Sequence, residues 1–235
     1  MSPVRKAADD VAWKVRHPAS VMRDAGRRIR DLATDLRRLS IGLLAGARTS
    51  AAGPPSARGR GAAGRGAARG AAPLEWRETL RREDATDVRR MVEETAMFTQ
   101  DEIDVAVELV DERLAKGPSS GYDFLFAERA GRAVGYACFG PIPGAPGRWD
   151  LYWIVVRPQA QRGGVGRELL RRAEALMSAR GAERIYIDTS TSKNYAPTRA
   201  FYRAMGYRQV AELPDYYHDG DGKAIFMRRR APPAD

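Results

Sequence analysis

From Asp150 to Leu170 the chain reads DLYWIVVRPQAQRGGVGRELL, and this stretch decides the fold. Leu151 to Val156 is an aromatic and β-branched run, which reads as a strand. Pro158 ends it, because a proline has no N–H to give a ladder. Glycines follow at 163, 164 and 166, and then Val165, Leu169, Ala173 and Leu176 recur about one helical turn apart. A glycine corner therefore lies between a strand and a helix. The first N–H groups of that helix have no intrahelical acceptor, and the peptide dipoles make this end partially positive. Bare Cα atoms let an anion approach, and Arg162 and Arg167 add full charges. The element reads as an anion cradle, with a pyrophosphate as its natural occupant and a plain helix start as the structural alternative. It is neither a G-x-G-x-x-G dinucleotide fingerprint nor a Walker loop, because the required spacing and the G-K-[ST] ending are both missing.

Around this stretch the 235 residues divide by composition. Residues 1–73 hold 15 Lys and Arg against 5 Asp and Glu, whereas residues 74–235 hold 25 of each. The net charge of +10 thus belongs to the N-terminal third, and any polyanion argument is confined there. Within residues 1–47, Met22, Ala25, Ile29, Leu32, Leu36, Leu39 and Leu43 recur at threes and fours, which predicts a basic amphipathic helix. Three readings stand for it: packing on the body or pairing with a second copy, lying on an acidic membrane surface, or not forming alone. Residues 48–73 are almost entirely Arg, Gly, Ala, Pro and Ser, and a disordered linker is expected. Arg-Gly tracts can grip nucleic acid, yet no aromatics are interleaved here, so a solvated tether is the favoured reading.

A lone Cys138 excludes an intramolecular disulfide framework and multi-cysteine metal sites; in its strand it reads as a small buried thiol. With only His17 and His218, zinc and histidine chemistry find no support, and no metal is expected. No apolar run approaches the ~20 residues a membrane helix needs, so a cytoplasmic protein without a transmembrane segment is expected.

The body, residues 74–235, alternates strands and helices. A strand at Leu74–Leu80 leads to a helix capped by Asp84 or Thr86 and running to Phe98. Thr99 with Glu102 forms a capping box before a second helix, Asp101–Lys116, whose apolar face is Ile103, Val107, Val110 and Leu114. Strands follow at Tyr122–Arg129 and Arg132–Phe139, then the central strand and helix, then Arg184–Thr189. Pro197 opens a helix carrying Phe201 and Tyr202, and Tyr207–Ala211 and Ala224–Arg228 are the closing strands. That string is an α/β domain with a mixed sheet.

Two motifs in this order resemble the GNAT superfamily of N-acetyltransferases over about residues 74–230. The first is [QR]-x-x-G-x-[GA], here Gln161-Arg162-Gly163-Gly164-Val165-Gly166 after the strand end Ile154-Val155-Val156-Arg157-Pro158. The second is the loose A-x-x-F-Y-x-x-x-G-[FY], here around Phe201-Tyr202 and Gly206-Tyr207. The resemblance implies acetyl-CoA as co-substrate, with its pantetheine arm on the backbone of Ile154, Val155 and Val156. Its pyrophosphate would lie in the cradle of Gln161, Arg162, Gly163, Gly164, Val165, Gly166 and Arg167. A mostly antiparallel central sheet flanked by helices, a bulge in its central strand and a V-shaped gap beside that strand are implied as well. Tyr202 matches the general acid, which serves the departing thiolate. Asp150 matches a base position and Asp188 is its rival; counted by twos, Asp150 shares a face with Tyr152, Ile154 and Val156. The family's cofactor-contacting asparagine falls at Tyr195, so Asn194 takes that role if the loop shifts by one residue.

The acceptor site is expected among Glu94–Phe98, Pro141–Trp149 and Leu213–Gly222, where Asp215, Asp219 and Asp221 beside Tyr216 and Tyr217 suit a cationic amine. A small-molecule or peptide amine acetylated by direct attack is the implied reaction. The competing reading is a non-catalytic CoA-binding or scaffold protein whose basic tail holds polyanions such as nucleic acid.

Overall fold

The computed structural model describes residues 72–230; the expected N-terminal helix and nearly all of the Arg-Gly-Ala linker lie outside them. The chain enters through β1 (Leu74–Arg77) and two helices, α1 (Asp84–Glu94) and α2 (Gln100–Lys116). Then come β2 (Asp123–Arg129), β3 (Arg132–Pro141), β4 (Arg148–Val156) and α3 (Val165–Ala179). β5 (Arg184–Ser190), α4 (Ala196–Ala204), β6 (Arg208–His218) and β7 (Asp221–Arg229) complete it. The strands form one seven-stranded sheet in the order β1-β2-β3-β4-β5-β7-β6, antiparallel except where β4 meets β5. This is the expected mixed α/β architecture, and the elements expected from Leu74 onward appear in order.

Period-2 alternation gives the sheet two apolar faces. One face puts Phe124, Phe126, Tyr136, Cys138, Trp153 and Val155 against Val88, Met91 and Val92 of α1 and Ile103, Ala106 and Leu109 of α2. The other packs Leu151, Ile154, Val156, Ile187 and Phe226 against Val165, Leu169, Ala173 and Met177 of α3 and Tyr202 of α4. The Cys138 thiol is among the buried groups, and desolvation raises its pKa well above the ordinary value, as fits an inert core thiol.

Three local expectations change. Asp84 is no cap: Glu83 holds the cap position without a side-chain bond, while the fully buried Asp84 carboxylate accepts from both terminal nitrogens of Arg77 (2.8 Å each) and from the Arg81 N–H (2.6 Å). Arg77 also reaches Glu128 at 2.7 Å, so the carboxylate ties β1 and β2 to the start of α1. α1 stops at Glu94 rather than Phe98. The Thr95 hydroxyl bonds back to the Val92 carbonyl at 2.7 Å, and Ala96 turns left-handed at φ 52°. On α2 the buried set is Ile103, Val105, Ala106, Leu109 and Val110, whereas Leu114 is 39% exposed. The arc is rotated because α2 packs on α1 as well as on the sheet. The capping box is as expected: Glu102 N–H donates to the Thr99 hydroxyl, and the Thr99 N–H to the Glu102 carboxylate.

Candidate active site

β4 and β5 run side by side for only three rungs, Arg148 with Arg184, Trp149 with Ile185 and Asp150 with Tyr186. Beyond Asp150 no rung joins them, although β4 continues to Val156 and β5 to Ser190. The β3 side of β4 stays fully laddered, with Ile154, Val155 and Val156 opposite Ala137, Tyr136 and Gly135. One backbone edge of Leu151–Val156 is thus left to a gap that widens toward the glycine corner. A V-shaped opening of this kind can seat an extended chain by strand-like hydrogen bonds.

The register between β3 and β4 slips where Cys138 faces Trp153 and Phe139 faces Leu151, leaving Tyr152 extra. This is a β-bulge, and it puts two consecutive residues, Tyr152 and Trp153, on the α1/α2 face. Counting by twos therefore fails across it. Asp150 shares a face with Tyr152, Trp153 and Val155, while Ile154 and Val156 point to the α3/α4 face. Tyr186 and Asp188 continue the Asp150 face on β5, since Ile185 and Ile187 face the other way.

At the open end, the Gln161 side-chain amide donates to the Val156 carbonyl at 2.9 Å and fixes the turn out of the strand. Arg162 and Gly164 both adopt left-handed backbone, at φ 62° and 81°. Glycine adopts that conformation at 164 without the strain a side chain brings, and a Cβ there would meet nothing within 4 Å, so the cradle opens to solvent at this point. A cavity of about 300 Å³ lies here, lined by Val156, Gln161, Arg162, Gly164, Gly166, Arg167 and Phe201. Glu168 in the same first turn brings a negative charge, but hydrogen bonds from Arg171 and Arg172 hold its carboxyl down at about 2 and balance it.

Tyr202 lies on α4 among Phe201, Tyr207 and Phe226, with ring centroids 5.6–6.0 Å apart. It is fully buried, its hydroxyl has no hydrogen-bond partner, and desolvation raises its pKa, so the phenol keeps its proton across the neutral range. The end of α4 is clamped to α3: Arg228 Nη1 donates to the Met205 carbonyl (2.9 Å) and to both oxygens of the buried Glu174 (3.0 and 3.1 Å).

On the opposite face, Asp188 pairs at 2.6 Å with Lys223, whose side chain is 4% exposed and whose ammonium lies 4.5 Å from the Tyr216 ring centre. Tyr217 packs edge-on to Tyr216, and burial followed by the charge of Asp188 raises its pKa. The Tyr195 hydroxyl reaches the Met97 carbonyl at 3.5 Å, and Phe98 lies 5.2 Å from Trp153, so the α1–α2 connection and the β5–α4 connection wall this face. Lys223 was missed in the sequence; its position as the polar partner of an alternating strand was the available signal. The Pro141–Trp149 loop is bound to the paired end of the strands, with Gly147 accepting from the Glu183 and Arg184 N–H groups, so it lies away from the gap. Leu213–His218, expected as a loop, is the second half of β6. Asn194 is exposed on a short 3₁₀ turn, Lys193–Tyr195, and does not line the cavity.

Among the described residues no group of three or more His, Cys, Asp or Glu is arranged to hold a metal, and no helix is long and apolar enough to cross a membrane. The residues do fit a CoA-type ligand: a free strand edge, a bare glycine cradle flanked by two arginines, and a buried phenol without a partner.

A family model described as the acetyltransferase (GNAT) family matches residues 85–207. The chain is 34% identical over 107 residues to the N-alpha-acetyltransferase RimI of Mycobacterium tuberculosis, a match covering 45% of this chain and 65% of that protein. A crystal structure from Desulfovibrio desulfuricans assigned to the GNAT family is 42% identical, with a TM-score of 0.67 over 68% of this chain and all of that one. PaiA N-acetyltransferase from Thermoplasma acidophilum, solved in complex with coenzyme A, shares the fold at 18% identity and a TM-score of 0.53, covering 67% of this chain and 99% of that one.

Proposed function

Because this chain belongs to the acetyltransferase (GNAT) family, we propose that it moves an acetyl group from acetyl-CoA to a primary amine by direct attack. The observation that carries the reading is the parting of β4 from β5 after Asp150, beside the glycine cradle. Acetyl-CoA supplies the activated thioester. Across Ile154, Val155 and Val156 the backbone groups alternate between the two edges of β4: those of Val155 face β3, and those of Ile154 and Val156 face the gap and hold the pantetheine arm. The cradle from Gln161 to Arg167 takes the pyrophosphate on backbone N–H groups, Arg162 and Arg167. Asn194 is proposed as a further contact, reached if its turn folds over the bound nucleotide.

Tyr202 gives a proton, or a hydrogen bond, to the departing thiolate. Its burial supports this, because the group is protonated at working pH and its donor is uncommitted. The acceptor amine must lose its proton before attack, as free amines of this class are protonated at pH 7. Asp150 takes that proton through water. Asp188 stands on the same face two residues beyond Tyr186, the partner of Asp150, but its pairing with Lys223 at 2.6 Å weakens it as a base. Asp188, Lys223, Tyr216 and Tyr217 instead shape the acceptor side.

The test is thiol release from acetyl-CoA by the full chain against polyamines, amino acids, aminoglycosides and peptides with free N-termini. Release that depends on one amine class and falls in Tyr202→Phe supports the reading. CoA binding without release for any of these amines would leave a CoA-binding protein instead.

A further inference from the structure

Where β4 and β5 have separated, the α3/α4 face contains an enclosed hydroxyl besides those of Tyr202 and Tyr207. Thr189 is 0% exposed and its Oγ1 has no hydrogen-bond partner. It continues the inward series Ile185, Ile187 on β5 and stands opposite Ala224 of β7. Two rungs back on the same face Ile187 pairs with Phe226, and the Phe226 ring lies 5.9 Å from that of Tyr202. Thr189 and Tyr202 thus share one face, on either side of Phe226, and the β4 side of Thr189 carries no ladder.

A buried hydroxyl without a partner is costly, and valine, of the same shape, would fill this position without that cost. The orphan therefore points to a partner that arrives with a ligand. Tyr207 on the same face has its phenol beside Glu174 of α3, Arg129 ends β2, and Tyr136 and Trp153, which also have unpartnered polar atoms, lie on the α1/α2 face, Tyr136 between fully paired strands. Thr189 alone among these stands on β5 across the gap from the free edge of Ile154–Val156.

We propose that Thr189 is a binding residue for the pantetheine arm, its hydroxyl exchanging a hydrogen bond with one of the arm's amides from the β5 side. The inference rests on the CoA reading given above. It assigns the second wall of the gap: β4 offers backbone to one edge of the arm, and β5 offers this side chain to the other. Neither hydroxyl touches solvent, so the arm meets them only by entering between the strands.

The experiment is calorimetry of the full chain with CoA and with 3′-phospho-ADP, which keeps the nucleotide and lacks the arm, together with melting temperatures without ligand. Thr189→Val is expected to weaken CoA binding about three- to tenfold, the worth of one hydrogen bond. Its affinity for 3′-phospho-ADP should not change, and its unliganded melting temperature should hold or rise. Thr189→Ser, which keeps the hydroxyl, should bind CoA like the parent. Unchanged CoA affinity in Thr189→Val overturns the proposal, as does an equal loss for both ligands or a fall in melting temperature that Thr189→Ser shares. If the parent chain itself ignores CoA, the functional reading has failed, which is a different result from a parent that binds and a variant that matches it.

Discussion

Tyr202 and Gly164 carry the two sharpest expectations at the level of single residues. Replacing Tyr202 by Phe removes a hydroxyl that bonds to nothing in the unliganded chain, so stability should hold or improve slightly. Turnover should fall about 10²-fold or more, the usual worth of a positioned proton donor, with CoA affinity little changed. Steady-state rates beside calorimetry separate the two. Gly164→Glu adds bulk and negative charge where a side chain meets only open space. The fold should survive with a modest penalty of about 1–2 kcal/mol for a left-handed non-glycine residue, while CoA binding disappears. Both positions were legible in the sequence because their meaning is local: a glycine opening a helix, and a phenol in a fixed relation to Gly206. Asp150 was only half legible. Its place in the strand was right, but the residues sharing its face depended on a bulge that β3 imposes and no local pattern announces. Lys223 was legible only as a polar position in an alternating strand, while its partner Asp188, 35 positions away on a neighbouring strand, was not.

Among the elements, those whose signals are self-contained came out where the sequence put them. The Thr99–Glu102 box closes on itself within four residues, and α2 begins there. α1 began for a different reason. Its first residue is pinned by Arg77 from β1, and Arg77 in turn holds Glu128 of β2, an arrangement only the assembled sheet can supply. Asp84→Ala should therefore leave two arginine contacts and a backbone N–H unanswered in a buried place and cost about 3–5 kcal/mol in urea unfolding. The end of β3 offers a second measurement. A Cβ on Gly140 would stand 2.0 Å from the Gly121 carbonyl oxygen, so Gly140→Ala should destabilise by about 1–3 kcal/mol through forced separation of the two backbones. The separation of β4 from β5 belongs to this level too. Nothing in either strand's composition says how many rungs they share.

For the molecule as a whole, two apolar layers on one sheet bury many phenols, and this fixes its behaviour in alkali. Burial raises the pKa of Tyr122 to about 12 and pushes Tyr136, Tyr195, Tyr202, Tyr207 and Tyr217 above the ordinary value of 10. Folded values above unfolded ones mean the stabilisation is complete below pH 10 and is lost as the pH climbs, because the unfolded chain ionises first. The urea midpoint should be flat up to about pH 9 and drop steeply between pH 10 and 12. Absorbance at 295 nm should show the buried phenolates appearing together with unfolding; early, independent ionisation would contradict the packing described. The charge division found in the sequence stands apart from all this, since the basic excess lies in the N-terminal third and the body is balanced.

Under the proposed reaction the sheet also separates the traffic. The phenol of Tyr202 is on one side of the gap, and Asp150, Asp188 and the tyrosines near them are on the other. Two reactants using separate doors need not queue. Initial-rate plots should then intersect rather than run parallel, and free CoA should compete with acetyl-CoA while leaving the amine's entrance unblocked.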